Sequence, residues 1–188
     1  MKYTINTDNF RNFDVAEINK LSPRAYFIPY SSMEKLCEQN VLTERYNSDM
    51  VTVLNGEWDF KYYEKDMLIP KEFYTDRVQF DKVTVPSTWQ RTGYEPPVYL
   101  NCPYPFDDKP PYVPNEQPVG IYRKKFTVEK GNKHFILSFL GVIPYIDLYI
   151  NGQFVGYSEG SHNSAEFALK ENVHNVGMRL FYFVEENN

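Results

Sequence analysis

The 188 residues carry a net charge of −5, with 42% hydrophobic and 24% charged residues. That length suits one domain with a substantial core, and no basic run exceeds Arg123-Lys124-Lys125, which argues against a nucleic-acid partner. No apolar run is long enough to cross a bilayer, the first ten residues lack a signal peptide's apolar core, and Cys37 and Cys102 are too few for a disulfide framework, so no membrane and a reducing, cytoplasmic setting are expected.

Aromatic residues make up 17% of the chain, with 16 Tyr and 14 Phe, a bias that fits half-buried pleated surfaces. Residues 1–30 read as an extended arm, punctuated by Pro23 and Pro29. Its apolar residues, Phe10, Phe13, Ile18, Leu21, Tyr26, Phe27 and Ile28, follow no helical period. So much apolar surface must lie along the arm's own domain or reach a partner chain. Ser31 or Ser32 is expected to cap a short helix carrying Met33, Leu36 and Cys37, with Glu34 at capping-box spacing from Ser31. Arm and helix together occupy 1–50, and a β-domain is expected over 51–188.

From Val51 the pattern has the period of strands. Asn55-Gly56 is a turn before Trp58-Asp-Phe-Lys-Tyr62, and Val83-Thr-Val85 runs into Pro86, which stops the strand or places it at an edge. Most of the 13 prolines fall between 93 and 120, among Tyr94, Tyr99, Tyr104, Phe106 and Tyr112, too much aromatic area for a disordered linker. The stretch is expected to be a stiff, ordered excursion. Ile121 to Val128 alternates, with Tyr122, Phe126 and Val128 on one face, and Phe135 to Val142 reads as a central strand. Ile146, Leu148 and Ile150 lead to Asn151-Gly152, a type I′ hairpin signal, and Phe154 to Tyr157 returns. Phe167 and the run Leu180 to Val184 supply the last two strands. The fold class is all-β, an antiparallel sandwich or jelly roll.

Chemistry is sparse. Glycoside hydrolysis needs a pair of carboxylates, and the candidates Asp107-Asp108, Glu159 with Glu166, and Glu185-Glu186 lack supporting context. His134, His162 and His174 lack metal-ligand spacing, and no G-x-S-x-G nucleophile elbow occurs. No catalytic residue and no metal ligand is assigned.

A set of motifs in order along the chain carries a resemblance. Leu54-Asn-Gly-Glu-Trp-Asp-Phe60, Val85-Pro-Ser-Thr-Trp-Gln90, Gly93-Tyr94, Pro97-Val-Tyr-Leu-Asn101, Tyr104-Pro105, Ile150-Asn-Gly-Gln-Phe-Val-Gly-Tyr-Ser158 and Ala165-Glu-Phe167 resemble the amino-terminal sugar-binding domain of family 2 glycoside hydrolases. Arg24-Ala-Tyr-Phe-Ile-Pro-Tyr30 and the proline-rich excursion are similar to the β-galactosidase branch. The resemblance implies a jelly-roll, galactose-binding-like sandwich in a large enzyme whose catalytic glutamates sit on a TIM barrel beyond position 188. Magnesium and sodium would belong to that barrel site, and none to this stretch.

It also implies a non-catalytic role: a scaffold that docks on the barrel and helps assemble an oligomer through the arm. The alternative is a stand-alone carbohydrate-binding module, for which Trp58 and Trp89 are the candidate stacking platforms. The sequence departs from the family at Gly141-Val-Ile-Pro-Tyr145, where Ile143 stands at the position expected to hold a sugar-contacting Asn or Asp, so that contact is expected to be lost or weakened. Leu140 replaces an acid, and Ser158-Glu-Gly-Ser-His162 departs from S-E-D-S-R. The family's next motif does not follow Val184. The domain is therefore expected to be truncated, with an open edge there; a truncated gene, a split gene and a fragment would all look alike.

Overall fold

The computed structural model describes residues 9–40, 42–73, 75–96, 117–128 and 134–169, together with the backbone of 178–185. Nine strands are described: β1 Glu17–Ile18, β2 Gly56–Tyr63, β3 Asp81–Val85, β4 Val119–Phe126, β5 Phe135–Phe139, β6 Tyr145–Ile150, β7 Gln153–Glu159, β8 Ala165–Leu169 and β9 Met178–Glu185. Seven form one antiparallel sheet in the order β1-β7-β6-β9-β4-β2-β3, and β5 pairs with β8 in a second. The expected antiparallel sandwich is present, with one sheet much larger than the other.

Period-two alternation decides what lies between the sheets. Trp58 and Phe60 of β2, Tyr122 of β4 and Ile146, Leu148 and Ile150 of β6 meet Ala165 and Phe167 of β8 in one buried cluster. Leu137 and Phe139 of β5 pack against it, and the Phe139 ring stands edge-on to Phe167 at 6.3 Å. Asn151 and Gly152 take φ of 49° and 84°, as the β6–β7 hairpin turn requires.

The outer face of the large sheet is also covered. Tyr149 of β6 with Val119 and Ile121 of β4 pack under Phe73, which comes from the connection between β2 and β3. Tyr145 and Tyr157 pack under Phe10 of the arm. Strand β6 is therefore buried on both faces.

Residues 9–24 of the arm belong to the sandwich itself. Strand β1 pairs with β7, Asn19 turns the chain at φ 56°, Lys20 then bridges to Phe167 of β8, and Leu21 N–H donates to the Glu166 carbonyl at 2.8 Å. Arg24 closes the strap with a bidentate pair to Glu166 at 2.8 and 2.7 Å. The arm thus joins the edge of the large sheet to the edge of the small one. Gly156 makes this possible, since a Cβ there would sit 2.5 Å from both the Ile18 carbonyl oxygen and the Phe167 ring.

Three expectations change. The helix is α1, Met33–Cys37, capped by Ser32, whose hydroxyl accepts from the Lys35 N–H at 3.3 Å. Ser31 donates instead to Asp49, so the Ser31–Glu34 box does not form. The Phe135 strand ends at Phe139 and is not central: β5 pairs only with β8 among the described residues, and Ile136 is half exposed. The run Leu180 to Val184 lies between β4 and β6, so the expected open edge does not fall on it. The apolar run misleads because β5 has one face on the core, whereas β6 is covered on two.

Candidate functional site

Of the residues singled out from sequence, Trp89 sits at the root of the proline-rich stretch. Trp89 opens a short 3-10 turn, Trp89–Thr92, whose capping Gly93 has φ 91°. The chain folds straight back onto β2: the Tyr94 ring meets Phe60 at 4.7 Å, and Trp89 meets Tyr62 at 5.7 Å. Gly120 on β4 completes the fit, because a Cβ there would lie 2.7 Å from the Trp89 ring.

Glu95 holds this cluster in place. Its two carboxylate oxygens accept separate hydrogen bonds, one from Tyr62 Oη and one from Trp89 Nε1 at 2.7 Å. Tyr94 Oη donates to Asp81 at 2.9 Å, and burial first, then that bond, push its phenol up to about 12. Glu95 escaped sequence reasoning. It carries no motif, and only its place directly after Gly93-Tyr94 sets it apart.

Trp58 and Trp89 retain 3% and 2% of their surface, and Trp58 donates its indole N–H to the Leu54 carbonyl at 2.8 Å. Neither ring offers a free face to a sugar. Both are packed in the core, the reading their motifs favour, and neither is set out as a stacking platform. Ile143 lies in the connection between β5 and β6, is 37% exposed, and its side chain has no group that could hydrogen-bond a ligand.

The remaining candidates stay apart. Glu166 is engaged by Arg24 and by Ser138 Oγ at 2.8 Å, and Glu159 accepts from Tyr157 Oη at 2.5 Å. His134 and His162 are exposed. Asp107, Asp108, Cys102, His174, Glu186 and the side chain of Glu185 lie outside the described residues, as do Tyr99, Tyr104, Phe106 and Tyr112. Among the described residues, no three His, Cys, Asp or Glu side chains come together in a way that could hold a metal ion. None of their helices is long and apolar enough to cross a membrane.

A polar groove on the outer face is lined by Glu57, Asp59, Lys82, Arg123, Lys124 and Lys125. Its two acids are each paired with a cation. Arg123 bonds Asp59 at 2.7 Å and Asp76 at 3.1 Å, and Lys82 reaches Glu57 and Asp59 at 3.0 and 2.8 Å. Burial pushes the Asp59 carboxyl up, but its bonds from Lys82 and Arg123 outweigh this and leave it below its usual value.

Residues 51–184 match the model of the family described as glycosyl hydrolases family 2, sugar binding domain. The chain belongs to this family. Trp58, Trp89, Glu95 and Ile143 all fall within the match. The chain is 36% identical over 163 residues to a β-galactosidase from Actinobacillus pleuropneumoniae, an alignment covering 86% of this chain and 16% of the relative. It is 38% identical over 160 residues to a β-galactosidase from Staphylococcus xylosus, covering 84% and 16%. The chain thus spans about a sixth of the length of these relatives. A solved Bifidobacterium dentium β-glucuronidase, complexed with coumarin-3-O-glucuronide, superimposes with a TM-score of 0.52 at 22% identity, over 70% of this chain and 19% of that one, which supports the fold alone.

Proposed function

We propose that this chain is the scaffold portion of a β-galactosidase: a non-catalytic sandwich that docks on a catalytic barrel carried elsewhere and helps to assemble the enzyme. One observation carries the reading. Trp58 and Trp89 are spent on packing, with Trp89 held between Phe60, Tyr62 and Glu95, so these two rings build a root for the proline-rich stretch and turn no face to a sugar. A rigid root is what a loop needs in order to meet another domain in a fixed pose.

Several further assignments belong to the same proposal. Hydrolysis of terminal β-galactosides is an activity of the whole enzyme, and its magnesium and sodium are assigned to the barrel. Ile143 gives no polar contact to a galactosyl group, so any galactoside affinity of this chain alone is weak. The exposed Tyr26, Phe27, Met33 and Leu42 of the segment after Arg24 are the surface offered to the barrel or to a neighbouring subunit. A cytoplasmic setting accompanies this role.

The test is to mix the chain with a β-galactosidase lacking this region and assay a chromogenic galactoside. Recovery of activity is expected, and no recovery overturns the scaffold reading. Calorimetric titration of the isolated chain with galactose or lactose should give no heat, whereas clear saturable binding would favour the carbohydrate-binding module.

A further inference from the structure

Asp147 has no part in the scaffold role. It projects from β6 to the outer face of the large sheet, between Tyr145 and Tyr149 on its own strand, and is only 3% exposed. Among the described residues its side chain receives a single hydrogen bond, from Asn9 Nδ2 at 3.2 Å. A carboxylate out of water ordinarily has a cation or several donors. This one has a neutral amide, provided by the arm.

The surroundings are aromatic. Phe10 follows Asn9 and stacks on Tyr145 at 5.0 Å with the planes 10° apart, and Tyr145 meets Tyr157 at 5.6 Å. Of the ionisable groups packed nearby, Tyr157 directs its hydroxyl to Glu159, and Arg11 is paired with Asp66 of the β2–β3 connection at 3.0 Å and lies over the Phe10 ring. Phe183 of β9 stands opposite Asp147 in register. The turn Asn9–Arg11 is therefore the lid that removes Asp147 from water.

We propose that Asp147 is a proton-controlled latch for the arm: the Asn9–Arg11 turn lies closed over β6 while the carboxyl is protonated, and it lifts when the carboxyl ionises. The two events are linked because ionisation requires hydration, and hydration requires the turn to move. Burial pushes the carboxyl up to about 7, while the Asn9 bond acts in the opposite direction. The sign follows. The closed state holds its proton more tightly than the open one, so closure is strongest below the ordinary carboxylate range and weakens as pH rises towards the raised value. Strand β1 and the Arg24–Glu166 pair keep the following part of the arm attached, so the moving part is the Asn9–Arg11 turn.

The experiment is an NMR titration of the full chain from about pH 5 to about pH 9, following the Asp147 carboxyl carbon and the Phe10 ring. Both signals should move together, with a midpoint close to the raised value. In Asp147→Asn, an uncharged isostere, the Phe10 ring should stay docked throughout. In Phe10→Ala, where the lid is loosened, the Asp147 midpoint should fall towards the ordinary carboxyl value, because linkage is reciprocal. An Asp147 that titrates like an exposed carboxyl overturns the latch. So does a Phe10 ring that stays docked while Asp147 ionises, or a Phe10→Ala midpoint equal to that of the unaltered chain.

Discussion

The two faces of the large sheet are held by different physics. The inner face, around Phe60, Trp58, Leu148 and Phe167, is a dry interlock of aromatic and aliphatic side chains between two sheets. The outer face is covered by pieces of chain without regular sheet of their own, the Asn9–Arg11 turn and the β2–β3 connection, fastened by ion pairs and by Asp147. Shape and apolar area decide the inner face, and neither depends on pH. Charge decides much of the outer face, so pH and local opening act there.

The sharpest way to break this contrast is at Phe60, which is fully buried and touches Trp89, Tyr94 and Tyr122. Phe60→Ala should cost about 3–5 kcal/mol in urea unfolding, with the same loss at acidic and at neutral pH. The outer face should behave otherwise. Asp147 is raised from 3.8 to about 7 by burial, so the stability it allows is full below the ordinary value and falls as pH rises to 7, by on the order of 4 kcal/mol at most. Asp147→Asn should flatten that limb in chemical unfolding measured across pH. Asp59 acts with the opposite sign: its carboxyl is lowered, so its contribution is present above the ordinary value and lost in acid.

Gly156→Ala tests where the two regimes meet, since the added methyl collides with the Ile18 carbonyl on the arm and with Phe167 in the core. A loss of about 1–3 kcal/mol is expected, with faster amide exchange at Leu21, whose N–H depends on the strap. Glu166→Gln, which weakens the Arg24 pair on a partly exposed surface, should cost no more than about 1 kcal/mol in the same unfolding assay. A loss as large as that of Phe60→Ala would mean that the strap, and not the interlock, holds the sandwich together.

Most strands were legible because their signals are local. Asn151-Gly152 fixes its own turn, Pro86 ends β3, and alternation over Trp58 to Tyr62 divides β2 into a core side and a covered side. The candidate site was less legible. Trp58 and Trp89 lie in motifs that read as core more readily than as platforms, but a tryptophan's identity does not say which way its ring points. Glu95 carried no motif, although its two hydrogen bonds fix the cluster.

By itself the sequence determined the class of fold, the family and the order of the strands, since each rests on spacing along the chain. Only the tertiary structure decided that β5 lies in a two-stranded sheet while the run Leu180 to Val184 is interior, that the arm straps two sheets together, and that Asp147 is closed off from water by a residue 138 positions away. Those are matters of sheet partner and of burial on a second face. Both arise from segments far apart in sequence, whose meeting no local pattern encodes.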